Sequence, residues 1–426
     1  MAIKILGIKQ KIKKCWGCLG PGLVTGAADD DPSGIATYSQ AGASGGFRHL
    51  WLAPFSLVLM GVVQELCARI ALVTGRGLAE NIRLHYSKYW LYICGGLVVF
   101  ANTLNIGADL GGMASAVQIF FPNIPFAIPL IAIAAITIYL EVFVSYSVYA
   151  KYLKWLAMTL LAYIATVLVI HIDLTELLRA AFVPSISFDR DSVLMIAAIL
   201  GTTISPYLFF WQTSQEVEEE IGRGDDTVDK RMVDGPAGIK QMRFDVWAGM
   251  AFSNIVMFAI ITVCATTLFK AGITNIGSAT DAAEALRPFA GDLAYLLFSF
   301  GIISTGFLAI PVLAGSSAYI FAETFKWQEG LEKKPKDAVY FYGVISLSVV
   351  AGLLFNFFGI NPIKALIYTS VANAVVAPVG LVFVLLLAGN KKVMGAFRAG
   401  FWGKLVGWGT TILMALVAIA VLVSFL

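Results

Sequence analysis

Charge is what this sequence has least of. Asp, Glu, Lys and Arg make up 13% of its 426 residues, where soluble domains carry about 25%. Such a chain cannot clothe itself in a polar surface, so a soluble enzyme, a nucleic-acid module and a disordered tail are excluded. Histidine is nearly absent. His49, His85 and His171 are the only three, all at the ends of apolar stretches or in loops, where solvated roles are expected and no proton relay at mid-membrane can be built. The five cysteines show no disulfide pattern, because Cys67, Cys94 and Cys264 lie inside apolar runs, while Cys15 and Cys18 form an isolated CxxC. No small-residue cleavage site follows the basic start, so a cleaved signal peptide is not expected either.

Hydrophobic residues fill 58% of the chain, mean hydropathy is +0.80, and the apolar stretches are long enough to cross a bilayer. Eleven spans are expected, beginning near Leu19, Leu50, Trp90, Pro125, Tyr152, Val193, Phe244, Leu293, Ala338, Ile363 and Phe401. Residues 1–18, with five lysines, read as a basic interfacial segment. With that end in the cytoplasm, 23 Lys and Arg fall on inner segments and only Arg48, Arg179, Arg190, Lys270, Arg287 and Lys364 on outer ones. This positive-inside bias puts the N-terminus in the cytoplasm and, after eleven spans, the C-terminus outside. Composition suggests a bacterial-type plasma membrane, with the lipid bilayer as the standing partner and no nucleic acid; a monomer is compatible with the sequence, which does not fix the oligomeric state. The acidic stretch 215–243 reads as a solvated cytoplasmic loop.

Two spans are interrupted at matching depth. The first carries Asp29-Asp30-Asp31-Pro32-Ser33-Gly34, which at the helical rise puts Asp31 roughly 18 Å into a core of about 30 Å. Proline removes a donor and clashes with the turn before it, so the helix unwinds there. The sixth repeats the device as Gly201-Thr202-Thr203-Ile204-Ser205-Pro206-Tyr207, and Pro32 and Pro206 are 174 residues, or five spans, apart. An all-α polytopic fold of two inverted five-helix repeats follows: residues 19–171, then 192–388, with an eleventh helix at 401–426. Broken helices at equivalent positions mark the binding site of a transporter, and freed carbonyls there are cation ligands. Three adjacent aspartates with no basic neighbour near mid-membrane call for a cation to balance them. Asp31 is expected as a direct or water-bridged ligand. Asp29 and Asp30 are expected to line the cavity.

The segment GPGLVTGAADDDPSGIATYSQAGA, followed by Gln64-Glu65-Leu66-Cys67-Ala68-Arg69 and TGRGLAE, resembles the opening of the Nramp family of divalent-metal transporters; ADLGGMASAV and GTTISPYLFFWQ are similar to its third and sixth helices. The resemblance implies the LeuT-type fold, with discontinuous helices 1 and 6, and alternating-access transport rather than an enzyme. The family's first-helix motif, Asp-Pro-Gly-Asn, keeps Asp31 and Pro32 here, but Gly34 stands for the asparagine. Its sixth-helix Met-Pro-His becomes Ser205, Pro206 and Tyr207. A thioether favours softer ions and oxygen ligands suit Mg²⁺ and Mn²⁺, so losing the methionine removes discrimination against hard ions. Gly34 and Ser205 also vacate volume, which suits a hydrated Mg²⁺ ion. The pattern is similar to that of the Nramp-related magnesium transporters. By the family pattern the Thr202 carbonyl is a further ligand or water acceptor, and Ser370, where glutamine is usual, lies with Asn373 in the tenth helix.

Proton coupling in the family rests on the sixth-helix histidine and a third-helix acidic pair; here those positions read Tyr207, Asp109 and Gly112. Half of the relay is missing. A divalent ion gains roughly 4.6 kcal/mol per 100 mV of membrane potential, so accumulation needs no protons. The expected activity is uptake of Mg²⁺, and also Mn²⁺, without proton coupling and with no resident cofactor. A proton-coupled Mn²⁺/Fe²⁺ carrier of the Nramp type is the alternative. A Na⁺-coupled solute symporter of the same fold sits badly with three aspartates at an anion-binding half-helix. An intramembrane transferase lacks a second acidic motif. Glu65 and Arg69, four apart on one helix, are expected to pair; Asn102, Asn105, Asn254 and Thr369 are expected to hydrogen-bond between helices.

Overall fold

A computed structural model describes residues 20–145, 148, 157–222 and 236–425. The basic segment 1–18 and the Cys15–Cys18 motif lie outside the described residues. All regular structure among the described residues is helical. The chain opens with α1 (Pro21–Asp29) and α2 (Pro32–Gly45), the halves of the broken first helix. Then come α3 (Leu52–Thr74), the short α4 (Leu78–His85), α5 (Lys88–Gln118), α6 (Ala127–Phe143), α7 (Leu161–Val169) and α8 (Leu174–Phe182). The second half runs through α9 (Arg190–Thr203), α10 (Pro206–Gly222), α11 (Pro236–Cys264), α12 (Ala294–Phe325), α13 (Val339–Phe355), α14 (Pro362–Gly389) and α15 (Phe401–Ser424).

Eight described helices are long and apolar enough to cross a membrane, with Arg190–Gly222 taken across its break; Ala127–Phe143 and Met158–Val169 are shorter apolar helices. With the broken first helix these account for the eleven expected spans. Proline sits in the first turn of α1, α2 and α14, where its missing N–H costs nothing. Asp189 caps α9 through Ser192 N at 3.0 Å, and the Ser192 amide, with the Ser187 and Ser192 hydroxyls, holds its carboxyl down at about 2.

Backbone contact fixes how the broken helices are seated. The half-helix α1 lies along α11, and a Cβ on Gly26 would stand 2.2 Å from the Gly249 carbonyl oxygen, while one on Gly249 would stand 2.1 Å from that of Gly22. Only glycine permits that approach. Asp245 of α11 closes the start of α1, accepting from Gly20 N and Gly22 N, each at 2.7 Å. These are orphan donors of a helix start, and an acceptor there also suits the helix dipole. In the second repeat α9 lies against α14, with a Gly201 Cβ destined to fall 2.0 Å from the Ser370 carbonyl oxygen.

Three expectations change. Residues 215–222 continue α10, with Gln215, Glu216 and Glu220 buried, and 236–243 begin α11, so the described parts of 215–243 are helix rather than loop. Their carboxylates are used structurally: Glu218 accepts from the Tyr319 hydroxyl at 2.6 Å and from Leu331 N at 3.1 Å. His49 is buried, not solvated, because the turn at Gly46 (φ 58°) folds it back against Gly45. Burial, then the Arg48 charge, pushes its imidazole down to about 4. Of the four residues expected to bond between helices, Thr369 bonds within its own helix, to Leu366 O, and Asn105 makes no hydrogen bond with either amide atom. Glu65 does pair with Arg69, and Arg243 joins it at 2.9 Å. Asn102 ties α5 to Ser316 and Ser317 of α12, and Asn254 meets Ser56 of α3.

Candidate metal-ion site

The two breaks share one backbone course. Asp30 ends α1 at φ −85°, ψ 52°, and Ile204 ends α9 at φ −109°, ψ 54°. Each is followed by one residue and a proline. Asp31 is extended, and its Oδ1 accepts from Gly34 N and from the Ser33 hydroxyl, both at 2.6 Å. It therefore caps α2, and its Oδ2 is left without a partner. At the second break the Ser205 hydroxyl turns backwards, reaching Gly201 O at 2.9 Å and Thr202 O at 2.7 Å.

Around the breaks the structure gathers the expected residues. Asp29, Asp30, Asp31 and Asp109 are each at most 1% exposed. Asp29 Oδ1, Asp30 Oδ2, Asp31 Oδ2 and both Asp109 oxygens lack hydrogen-bond partners, although the Ser33 amide lies near Asp109. None of the four makes an ion pair with Lys or Arg among the described residues. Asp109, on α5, is close enough to Asp31 for the two charges to act on each other. Tyr207 is within the field of Asp31, Asp29 and Asp109, and its hydroxyl donates to Ala28 O at 3.3 Å, tying α10 to α1. Thr37 of α2 donates to Ser370 Oγ of α14 at 3.2 Å. Asn373 is buried, with neither amide atom bonded, and Asn105 is in the same condition.

The vacated volume is not open in this conformation. A Cβ on Gly34 would lie 3.3 Å from both Asp29 O and Thr202 Oγ1, so the two breaks have closed into the space. Gly34 contributes its amide to Asp31 and brings no side-chain ligand. Among the described residues no three Asp, Glu, His or Cys side chains converge with metal-ligand geometry. An ion that takes these oxygens has to part the breaks.

Ser253 of α11 belongs to no sequence motif. Its hydroxyl faces Asp29 Oδ2 at 2.8 Å and Asp30 Oδ1 at 3.2 Å. One proton serves two carboxylates, so the charge at the break is only partly met. The available signal was a second polar residue beside Asn254 in an apolar span. Thr25 and Gln212 likewise are not expected site residues: the Thr25 hydroxyl donates to Gln212 Oε1 at 2.6 Å, joining α1 to α10.

Comparison with known proteins adds an independent line. A family model described as "Natural resistance-associated macrophage protein-like" matches residues 22–424. The divalent metal cation transporter MntH of Caldanaerobacter subterraneus is 26% identical over 398 residues, covering 92% of this chain and 89% of that protein. MntH of Bacillus subtilis is 24% identical, covering 95% and 92%. The crystal structure of the Eremococcus coleocola manganese transporter superposes with a TM-score of 0.76 at 17% identity, covering 95% of this chain and 86% of that one. MhsT in complex with L-phenylalanine superposes at 0.55 with 14% identity, covering 95% and 98%, which places the chain in the wider LeuT-type fold.

Proposed function

The chain belongs to the Nramp family, and from that premise we propose that it carries divalent metal cations across a cell membrane by alternating access, Mg²⁺ first and Mn²⁺ also, without proton coupling. The observation that carries the reading is the set of orphaned oxygens on Asp29, Asp30, Asp31 and Asp109. Buried carboxylates left unpaired cost several kcal/mol each, and a cation entering among them relieves that cost. The relatives named as divalent metal transporters support the cargo class.

In this reading Asp31 Oδ2 is the direct or water-bridged ligand, while Oδ1 keeps α2 capped so that the ligand is held in place. The Thr202 carbonyl and Ser205 hydroxyl supply neutral oxygens from the other break. Asp29, Asp30, Asp109, Tyr207, Ser370 and Asn373 line the enlarged cavity and hold the ion's waters. All of these donors are hard, and Mg²⁺ keeps several waters beside one or two carboxylates. The inside-negative potential supplies about 2.3 kcal/mol per charge per 100 mV, enough for about a thousandfold accumulation of a divalent ion. We place the start of α1 in the cytoplasm, in a plasma membrane, in keeping with the lysine and arginine bias.

A second reading, proton-coupled Mn²⁺ transport, is favoured by Asp109, which stands unpartnered beside Asp31. Flux of Mg²⁺ and Mn²⁺ into proteoliposomes at a clamped negative potential, with lumenal pH recorded, separates the two. Mg²⁺ entry that disappears in Asp31→Ala and leaves lumenal pH unchanged supports the first. Entry of Mn²⁺ alone, with lumenal acidification in proportion, overturns it in favour of the second.

A further inference from the structure

Six basic residues run against the charge bias of the sequence, on the face away from the start of α1. Three of them, from three separate segments, converge. Arg48 follows the end of α2, Arg179 is on α8, and Lys270 follows the end of α11; all three line one cavity of about 600 Å³. Only Glu176 opposes them there. None of the three cations makes an ion pair among the described residues.

The cavity sits at the end of α2 and just past the end of α11, where helices that span a bilayer reach its interface with water. The helix that forms one wall is amphipathic. Leu177 and Ala181 of α8 are buried on the protein, while Leu174, Leu178 and Phe182 are 68%, 56% and 72% exposed. Their spacing of four puts them in one stripe, the mark of a helix lying in the interface with its apolar face toward acyl chains. Val183, also exposed, carries the apolar surface to the cavity's own rim.

We propose that this cavity binds the headgroup of an anionic phospholipid. The phosphodiester is held by the Arg48 and Arg179 guanidinium groups and the Lys270 ammonium, and an acyl chain runs along Leu178 and Phe182. Arginine presents paired donors that match phosphate oxygens, and lysine adds a point charge. The net positive lining selects a headgroup of net negative charge over a zwitterionic one. Bound there, the lipid ties the end of α2, the half-helix beyond the first break, to α11 and α8.

The test is native mass spectrometry of the full chain, delipidated in detergent and supplied with phosphatidylglycerol or phosphatidylcholine of matched acyl chains. The comparison is between the unaltered protein, the triple variant Arg48→Gln/Arg179→Gln/Lys270→Gln, and Lys364→Gln, which changes a basic residue outside the cavity. The unaltered protein and Lys364→Gln should retain phosphatidylglycerol, and the triple variant should lose at least about tenfold in retention, since all three basic groups that attract the anionic headgroup are gone. Circular dichroism and a thermal melt like those of the unaltered protein show that the triple variant has folded; if it has not, the three single variants are read instead. Equal retention in the folded variants, an equal loss in Lys364→Gln, or phosphatidylcholine held as well as phosphatidylglycerol would overturn the proposal. Displacement of the lipid by millimolar inorganic phosphate would also overturn it, showing a site for free anions.

Discussion

Before the proline of the first break stands Asp31, and before that of the second stands Ser205; the two side chains meet the same backbone problem from opposite ends. A carboxylate only accepts, so Asp31 turns forward to the free amides that begin α2. A hydroxyl can donate, so Ser205 turns back to the free carbonyls that end α9. The consequence for chemistry is unequal. The first break keeps a spare charged oxygen, with Asp29 and Asp30 behind it, whereas the second has its hydroxyl proton already committed and holds only neutral groups. The same helix interruption thus provides charge in one repeat and shape with backbone oxygen in the other.

The widest gap between the breaks should appear in flux. Asp31→Ala is expected to lower Mg²⁺ uptake into proteoliposomes at least about a hundredfold, since a direct charged interaction of 3 kcal/mol or more is removed. Ser205→Ala should stay within about fivefold, because the lost hydrogen bond contributes about 1 kcal/mol. Equal losses would show that the two breaks contribute alike to transport.

Packing at the second break gives the next largest effect. Gly201→Ala puts a methyl 2.0 Å from the Ser370 carbonyl oxygen, and overpacking of this kind costs about 1–3 kcal/mol. A lower melting temperature in detergent, at both high and low Mg²⁺, is the expected result. Ser253→Ala instead removes the donor shared by Asp29 and Asp30, so the metal-free protein should lose about 1–2 kcal/mol of stability. Added Mg²⁺ should restore much of that loss, a rescue that Gly201→Ala should not show. Ser205→Met restores a soft ligand and should raise the Mn²⁺-to-Mg²⁺ uptake ratio about threefold to tenfold in competition assays.

The smallest effect concerns carboxylates away from the breaks. Glu329, near Glu218 and Glu323 at the ends of α10 and α12 and Glu80 at the start of α4, is raised to about 9 by burial first and by those three charges next, with Lys333 opposing. Its folded value lies above its ordinary 4.5, so the unfolded chain releases its proton first. The stability it lends is fully present below about pH 4.5 and is lost as pH rises through about 9. Glu329→Gln should flatten the fall in melting temperature over that window.

Most of the architecture was legible because its signals are local. Proline and glycine inside apolar runs break helices wherever they fall, and the spacing of Pro32 and Pro206 exposes the repeat. The fate of the acidic stretch 215–222 was not legible, since its glutamates look solvated until Tyr319 and the turn at Leu331 are brought against them. The same holds for His49. Within the site, the aspartates declared themselves by being charged where charge is costly, whereas Ser253 is an ordinary residue until α11 crosses α1.

The sequence by itself determined the spans, the two breaks, the side chain before each proline and the sign of the charge between them, because hydropathy, proline geometry and ionisation belong to single residues and short runs. Tertiary structure alone decided which carboxylate oxygens are met and which are left bare, that the space beside Gly34 is closed, and that Arg48, Arg179 and Lys270 share a cavity. Those outcomes depend on how helices far apart in the chain cross, and contact at a crossing is a property of pairs that no single stretch of sequence contains.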